Sequence, residues 1–355
     1  MQLLHPHKPD APHLDRFTPR AAIPGGTLEL HGNHLLGHTH APEDPHLPHA
    51  TFGEIEASLD VSRATRALVR VPSGAISSDL VLHRDGLASN ILHANIGVPM
   101  AEELHLISNP AVDQDNNLYA MVSGPRGERV PVSIFRIDRD LQVRPFVRDL
   151  LNVSALAFDP EGYLYASSRS EGTVYRISPQ GAISTFAEGM GIATGLAFDR
   201  AGNLFVGDRS GTIFNVGPSG SKASGEVFVF ATLEPSVAAY HLAFRDDGTL
   251  LVTAPTTSSN QCIYAIDPSG NTTVFYRGLG RPQGMALDAD DNLYVAASLH
   301  GQRGIIKIDS DRNAELLVSG NDLVGLCFLE DGCAALASNS TLFHIDLGIE
   351  GRKLF

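Results

Sequence analysis

Short apolar runs alternate with turns rich in glycine, aspartate and asparagine over most of the chain. The clearest example covers residues 193–216, where Leu196–Phe198, Leu204–Val206 and Thr212–Val216 are separated by glycine-containing turns. Runs of this length with these turn residues are typical of β-hairpins. The segment therefore predicts three consecutive strands of an antiparallel meander, which is too small to bury both of its faces alone.

The same pattern recurs from about residue 104 to the end of the chain. An apolar segment, a Gly or Asn turn and a second apolar segment occur six times, at residues 111–119, 156–165, 196–205, 242–251, 285–294 and 326–334. Each copy is followed by a third predicted strand, which is Ile134–Ile137 in the first copy, and most copies by a fourth. A period of roughly 40 residues with four short strands is typical of a propeller blade. Closing the ring would remove exposed sheet edges, with an outer strand from either Glu102–Ile107 or Lys353–Phe355; the pattern favours neither.

The region before the repeats has a different pattern. Short alternating strands are predicted at residues 27–35, 50–53, 67–72 and 79–83, and turn signals lie between them, as in a small β-sandwich. The fold class is therefore all-β, a six-bladed β-propeller preceded by a small immunoglobulin-like β-sandwich. The predicted organisation is a flexible arm at 1–13, the sandwich at 14–98, a linker at 99–103 and the propeller at 104–355.

Several short motifs of the first region occur in a recognisable order. They are Thr18-Pro19, Gly25-Gly26-Thr27, Gly32-Asn33, Phe52-Gly53, Val69-Arg70-Val71-Pro72 and Ala88-Ser89-Asn90. This set resembles the TIG (IPT) family of immunoglobulin-like domains over most of residues 14–98. The resemblance implies an interaction or spacer module, not a catalytic domain.

A histidine-rich loop departs from that family pattern. Its imidazoles are those of His34, His38, His40, His46 and His49. Imidazole nitrogens bind zinc or nickel when they are held in a fixed geometry, so these residues are weak metal-site candidates. The loop is rich in proline and contains no cysteine, which favours a solvated insertion instead.

The second region carries motifs of two related propeller groups. Gly195–Leu204 and Gly284–Asp288 resemble the NHL repeat and the senescence-marker/gluconolactonase group over about 250 residues. The gluconolactonase resemblance implies a divalent cation, calcium or zinc, held at the mouth of the central channel by a Glu, an Asn and an Asp. Such a metal would polarise a lactone carbonyl and activate a water molecule.

The positions that precede the six predicted innermost strands do not fit that metal site. They are Ser108, Ser154, Thr194, Tyr240, Gln283 and Val324, and none is a carboxylate. No metal is therefore expected in the channel. The mouth is nonetheless polar, and its candidate ligand-binding residues are Ser108, Asn109, Ser154, Thr194, Tyr240, His241 and Gln283. A hydrated channel without a ligand is the alternative interpretation.

A second set of candidates follows the predicted second strands. Arg169, Asp208 and Arg209 lie on adjacent blades, and His300 lies in a longer loop of the fifth. Paired arginines bind carboxylates or phosphates, whereas the alternative is that Asp208 braces a turn and pairs with Arg209. His241 has the chemistry of a general base, but no Gly-x-Ser-x-Gly motif accompanies it.

Net charge and the lengths of the apolar segments restrict the classes of partner that are expected. A formal net charge of −14 disfavours binding to nucleic acid, which requires clustered Lys and Arg. No segment has the length and apolar character of a membrane span or a signal peptide, so we expect no membrane partner and a cytoplasmic location.

Two functions of different class follow from these observations. The first is a non-catalytic propeller that binds a small neutral ligand or a protein partner on one face. The alternative is a gluconolactonase-like hydrolase that acts on lactones or related esters with a divalent metal at the channel.

Overall fold

The chain forms two compact units. A computed structural model describes residues 10–36, 47–106, 108–124, 128–253, 255–256 and 261–353. The first unit comprises residues 1–98 with 317–320, and the second comprises residues 99–316 with 321–355. No helix within the described ranges is long and apolar enough to cross a membrane.

The first unit is built from short strands around one apolar core. Leu28 and Leu30 alternate with polar residues along one strand, and Leu80 and Leu82 alternate with more exposed residues along another; all four leucines are fully buried. The strand order is β1-β3-β6-β5-β4-β7-β9-β2, with β8 paired to β7. These strands are β1 (His13–Thr18), β2 (Ala21–Ala22), β3 (Thr27–Asn33), β4 (His49–Phe52), β5 (Ile55–Ser62), β6 (Arg66–Arg70), β7 (Ser78–Arg84), β8 (Leu87–Ala88) and β9 (Leu92–Ile96).

The second unit consists almost entirely of four-stranded antiparallel meanders. One turn of 3-10 helix, Glu330–Gly332, lies between two strands of the last meander. The strands are β10 (Val98–Ala101), β11 (Ala111–Val112), β12 (Leu118–Met121), β13 (Ile134–Ile137), β14 (Val143–Val147), β15 (Val153–Phe158), β16 (Leu164–Ser168), β17 (Thr173–Ile177), β18 (Ile183–Ala187), β19 (Ala193–Phe198), β20 (Leu204–Asp208), β21 (Thr212–Val216), β22 (Val227–Thr232), β23 (His241–Phe244), β24 (Leu250–Thr253), β25 (Cys262–Ile266), β26 (Thr272–Arg277), β27 (Met285–Leu287), β28 (Leu293–Leu299), β29 (Gln302–Ile308), β30 (Ala314–Ser319), β31 (Leu323–Phe328), β32 (Cys333–Ser338) and β33 (Leu342–Asp346).

These meanders form a β-propeller, which confirms the predicted all-β propeller fold. Five of them are separate four-stranded sheets, β11–β14, β15–β18, β19–β22, β23–β26 and β10 with β31–β33, one fewer than the six predicted blades. The strands β27, β28, β29 and β30 also follow one another in sheet order, but the end of β30 clusters with the first unit. The first strands of the meanders contact one another in the closed sequence β11, β15, β19, β23, β27, β31 and back to β11.

The outer strand of the last sheet comes from neither segment considered in the sequence. It is β10, Val98–Ala101, which pairs with β33. The predicted linker at 99–103 therefore overlaps a strand. Because the other three strands of this sheet come from the C-terminal end of the chain, the pairing closes the ring non-covalently and covers the outer edge of β33.

The repeated aromatic positions explain why the blades pack. The aromatic ring of a second strand meets the ring that ends the first strand of the next blade, edge to face, with centroids 4.9 to 5.1 Å apart. The pairs are Tyr119–Phe158, Tyr165–Phe198, Phe205–Phe244 and Tyr294–Phe328. Such pairs contribute about 0.5–1.5 kcal/mol each beyond their buried area.

An aspartate follows the first strand in four of the meanders, as Asp113, Asp159, Asp199 and Asp288, and fixes the turn there. Asp113 accepts hydrogen bonds from the Asn117 backbone N–H at 2.8 Å and from the Tyr119 hydroxyl at 3.1 Å. Asp288 accepts the Tyr294 hydroxyl at 2.8 Å in the same way. The Asp-x-x-x-Asn-x-Tyr signature is therefore structural, because it satisfies buried polar groups at the turn.

The C-terminal segment crosses the ends of two first strands. The Arg352 backbone N–H donates to the Leu287 carbonyl at 3.0 Å, and its Nη1 donates to the Phe244 carbonyl at 2.8 Å. Arg352 Nη1 also lies 2.9 Å from Asp291 Oδ1, and the Arg352 side chain is 9% exposed. This segment is thus anchored to the propeller by a buried ion pair.

Candidate functional site

The two ends of the propeller differ in the loops that they carry. In each meander the loop before the first strand and the loop between the second and third strands leave the sheet at the same end, because successive strands are antiparallel. We call this end the mouth face and the opposite end the turn face. All seven candidate ligand-binding residues and all four secondary candidates lie at the mouth face.

A serine and a histidine meet across the ring at the mouth face. Ser108 precedes β11, His241 begins β23, and these strands lie three places apart in the ring of first strands. Ser108 Oγ is 3.1 Å from His241 Nδ1, and the two residues are only 5% and 4% exposed. Burial lowers the pKa of His241 from 6.5 to about 4. The imidazole is therefore neutral at pH 7, and its tautomer decides which partner donates.

Hydroxyl groups at the mouth face join neighbouring blades. Ser154 Oγ donates to the Ala193 carbonyl at 3.0 Å, which links the sheets β15–β18 and β19–β22. Thr194 Oγ1 donates to the Gly207 carbonyl at 2.9 Å and accepts from the Tyr240 backbone N–H at 3.1 Å. Because these hydroxyls are buried and satisfied by the protein itself, they hold the ring together.

Tyr240 and Gln283 also form hydrogen bonds within the protein. The Tyr240 hydroxyl donates to the Glu234 carbonyl, and the residue is fully buried. The Gln283 carbonyl accepts from Thr253 Oγ1 at 2.7 Å, whereas its side-chain Oε1 accepts from Arg303 Nη2 at 3.0 Å. The side chain of Gln283 is thus hydrogen-bonded to a charged side chain, that of Arg303, at the mouth face.

Asn109 is fixed between two first strands. Its Nδ2 donates to the Met285 carbonyl at 2.7 Å, and its Oδ1 accepts from the Leu326 backbone N–H at 3.1 Å. The amide fits there because the adjoining residues are Gly284 and Gly325, where an added Cβ would stand 2.1 and 2.6 Å from Asn109 Oδ1. The side chain serves as a bridge between β27 and β31.

The two secondary arginines reach different neighbours. Arg169 Nη2 donates to Ser123 Oγ at 3.0 Å, in the preceding blade, whereas Arg209 Nη2 donates to the Val237 carbonyl at 2.9 Å, before the following one. These hydrogen bonds do not form the paired clamp considered from the sequence. Asp208 Oδ1 accepts from the Ile192 backbone N–H at 2.8 Å, which is a bracing contact.

His300 does not lie in a long loop, and that prediction was wrong. It forms a two-residue hairpin turn with Gly301, and both residues have positive φ values, 50° and 83°. Strands β28 and β29 pair up to Leu299 and Gln302 on either side of it. This is the backbone geometry of a type I′ turn, and it leaves His300 exposed at the tip.

The histidine-rich loop is described in part. His38, His40 and His46 lie outside the described residues. His34 Nε2 is 3.8 Å from Asp10 Oδ2, and His49 Nδ1 is 3.1 Å from the Leu47 carbonyl while its ring stacks on His83. Among the described residues, no group of three or more His, Cys, Asp or Glu side chains is arranged to hold a metal ion.

One cation that the sequence did not single out reaches the mouth face. Arg303, near the start of β29, contacts Gln283 as described above and places Nη2 3.5 Å from the Leu323 carbonyl. Its Nε is buried, and no described residue accepts a hydrogen bond from it. The candidates predicted from the sequence lie before first strands and after second strands, whereas Arg303 lies near the start of a third strand.

A recess lies on the turn face of the propeller. It has a volume of about 170 Å³ and lies between the sheets β11–β14 and β15–β18, lined by Asp113, Asp115 and the aromatic rings of Tyr119, Phe146 and Phe158 among others. The Asp113 carboxylate already accepts hydrogen bonds from the Asn117 backbone and the Tyr119 hydroxyl.

Comparisons with known proteins identify the fold alone. The chain matches no protein-family profile, and no curated protein matches it. Many solved structures are similar. A putative gluconolactonase is 16% identical with a TM-score of 0.59, over 72% of this chain and 93% of that one. A protein of unknown function from Bacteroides thetaiotaomicron is 14% identical with a TM-score of 0.56, over 96% and 99%. An auxiliary nutrient binding protein from Bacteroides ovatus is 12% identical with a TM-score of 0.55, over 98% and 100%.

Proposed function

We propose that this protein is a non-catalytic binding protein whose propeller takes a small ligand at the mouth face. The observation that carries the proposal is the Ser108–His241 pair, buried across the ring with an imidazole whose pKa is about 4. A base that weak at neutral pH is poorly suited to remove a proton from a serine hydroxyl or a water molecule. The pair therefore suits hydrogen bonding to a ligand better than catalysis.

The finer architecture belongs to the same proposal. We assign β27–β30 as a sixth blade of NHL/gluconolactonase type, supported by the place of β27 in the closed ring of first strands. We assign the first unit as an immunoglobulin-like accessory domain of the TIG type at residues 14–98, and residues 104–355 as the propeller. The domain would act as a spacer or a second contact.

The proposal for the partner rests on the net charge of the chain and on its similarity to a solved structure. The net charge of −14 supports a partner other than nucleic acid, and we retain the expectations of a cytoplasmic location and no membrane partner. The similarity of the auxiliary nutrient binding protein over 98% of this chain supports a small molecule as the ligand. A protein partner on the same face is the other form of this proposal.

A lactone hydrolase is the competing function. It is favoured by the similarity to the putative gluconolactonase. It would require a divalent metal held in a way that differs from the Glu, Asn and Asp set of that group, because the aligned positions carry hydroxyl, amide and apolar side chains.

One experiment separates the two functions. A panel of sugars, lactones, small carboxylates and their amides is screened by thermal shift, and lactone hydrolysis is measured with added Ca²⁺, Mn²⁺ or Zn²⁺ and with a chelator. We expect saturable stabilisation by some compounds and no turnover above buffer. Turnover that the chelator abolishes would overturn the binding proposal.

The location of binding is tested with matched variants. Val237 is 52% exposed at the mouth face, and Val274 is 36% exposed on the outer strand β26. We expect Val237→Trp to weaken the binding of any compound found, and Val274→Trp to leave it unchanged. Equal effects of the two variants would place the ligand elsewhere.

A further inference from the structure

Arg303 is a partly buried cation whose hydrogen bonds are incomplete. Both of its recorded hydrogen bonds come from Nη2 and go to neutral oxygens, Gln283 Oε1 at 3.0 Å and the Leu323 carbonyl at 3.5 Å. Its Nε is buried and has no partner among the described residues. Within that part of the chain Arg303 also forms no ion pair. A guanidinium in this state lacks an acceptor, because buried N–H groups are costly when they are unsatisfied.

The charge around Arg303 is positive. Burial lowers the pKa of Arg303, and the neighbouring Arg281 lowers it further, whereas Asp322 acts in the opposite direction. Two arginines thus meet one aspartate here, in a protein whose net charge is −14. One negative charge on a ligand would balance the second arginine.

The arginine also breaks the symmetry of the propeller. The strand registers align Arg303 with one residue in each of the other meanders, namely Val132, Gly172, Gly211, Gln261 and Ser340. None of these carries a charge. The position therefore does not require a cation for the blade to form, and packing alone does not account for an arginine there.

We propose that Arg303, Arg281 and Gln283 form a binding site for the carboxylate group of a small molecule at the mouth face, between β29 and β31. The inference rests on the proposed binding function and names the chemical class of the ligand, which is a monoanion and not the neutral compound expected from the sequence. Arg303 Nε and Nη2 lie on the same edge of the guanidinium; the Nε–H on that edge has no acceptor among the described residues, and a carboxylate oxygen is a strong, charge-assisted acceptor for such a donor.

Gln283 positions this edge. Its Oε1 holds Arg303 Nη2, and Gln283 itself is held by Thr253 and by the Ala296 carbonyl, which accepts the Gln283 backbone N–H at 2.9 Å. Arg281 is exposed, so it contributes long-range attraction and a smaller share of the affinity.

The test uses the full chain labelled with ¹⁵N-arginine. Propionate, its neutral analogue propionamide and inorganic phosphate are titrated at constant ionic strength while the Nε–H signals are followed. The Arg303 signal is assigned by its absence in Arg303→Gln. We expect this signal to shift saturably with propionate and not with propionamide. A shift with both compounds, or with neither, overturns the proposal, and tighter binding of phosphate overturns the assignment to a carboxylate.

Variants test the residues separately. Arg281→Gln should weaken propionate binding about two- to fivefold, as expected for the loss of one exposed charge, and remains informative if Arg303→Gln does not fold. Arg312→Gln removes a cation from the opposite end of the same meander and should change nothing. Unchanged propionate binding in a folded Arg303→Gln variant overturns the site.

The outcomes distinguish this inference from the function on which it rests. If the thermal-shift screen finds a ligand that is lost in Val237→Trp but propionate leaves the Arg303 signal unmoved, the binding function stands and the carboxylate site fails. If no compound binds in either experiment, both fail.

Discussion

The buried imidazole of His241 should make stability depend on pH in a direction that the structure fixes. Its pKa is about 4 in the folded protein against 6.5 for an unperturbed histidine. Between these values the unfolded chain binds the proton and the folded chain does not. The contribution of His241 to stability is therefore fully present above pH 6.5, falls as the pH decreases through that window, and is gone below pH 4.

The magnitude follows from the two pKa values. The full difference corresponds to roughly 3 kcal/mol. At pH 5 the unfolded histidine is almost fully protonated and the folded one is mostly neutral, so His241 alone should lower the free energy of unfolding by about 2 kcal/mol relative to pH 7. To bind this proton, the folded protein must either keep the charged imidazole buried away from water or break its contact with Ser108 so that water can reach it.

The assay compares urea unfolding at pH 7 and pH 5 for the wild type and for His241→Asn. The asparagine does not titrate, so its variant should lose about 2 kcal/mol less than the wild type on acidification, whatever the other groups contribute. His105→Asn, at an exposed position, should behave as the wild type does. An identical pH dependence in the wild type and His241→Asn would refute a buried neutral imidazole.

Two further predictions concern the packing of the ring, and both are measured by urea unfolding. Arg352→Ala should cost about 2–4 kcal/mol, somewhat less than the usual loss of a buried partner because Asp291 keeps a second arginine at 2.5 Å; a loss below 1 kcal/mol would mean that the C-terminal segment is not anchored there. Gly284→Ala should cost about 2 kcal/mol or more, because its Cβ would stand 2.1 Å from the fixed Asn109 Oδ1. Gly280→Ala, whose Cβ would meet a side-chain atom at 3.2 Å, should cost much less, and equal costs would contradict the bridging role of Asn109.

The strands of the propeller were predictable because each repeat carries its own local signals. The predicted third strand of the first blade, Ile134–Ile137, coincides with β13, since apolar alternation and turn residues determine both its limits. The outer strand β10 was not predictable. Its sequence, Val-Pro-Met-Ala, has no alternation of its own, and its partner β33 lies more than 200 residues away in the chain.

The positions of the candidate residues were predictable from the sequence, but their hydrogen-bond partners were not. Alignment of the repeats placed Ser154 and Thr194 at the mouth face, yet it carries no information on hydrogen bonds to the next blade. Those bonds depend on which backbone group of the neighbouring repeat comes within hydrogen-bonding distance, the Ala193 carbonyl for Ser154 and the Tyr240 N–H for Thr194. Arg303 was not predicted, because nothing in its local sequence shows that its side chain reaches Gln283.

The comparison among blades indicates where function resides in this fold. Residues that recur, such as the aspartate, the tyrosine and the glycines of the turns, are accounted for by turn formation and blade packing. A ligand that binds near the axis of a pseudo-symmetric ring can be held specifically only by residues that differ from blade to blade. His241, Gln283 and Arg303 are such residues. They lie at one end of the ring, in the adjacent meanders that begin with β23 and β27, and binding measurements should begin with them.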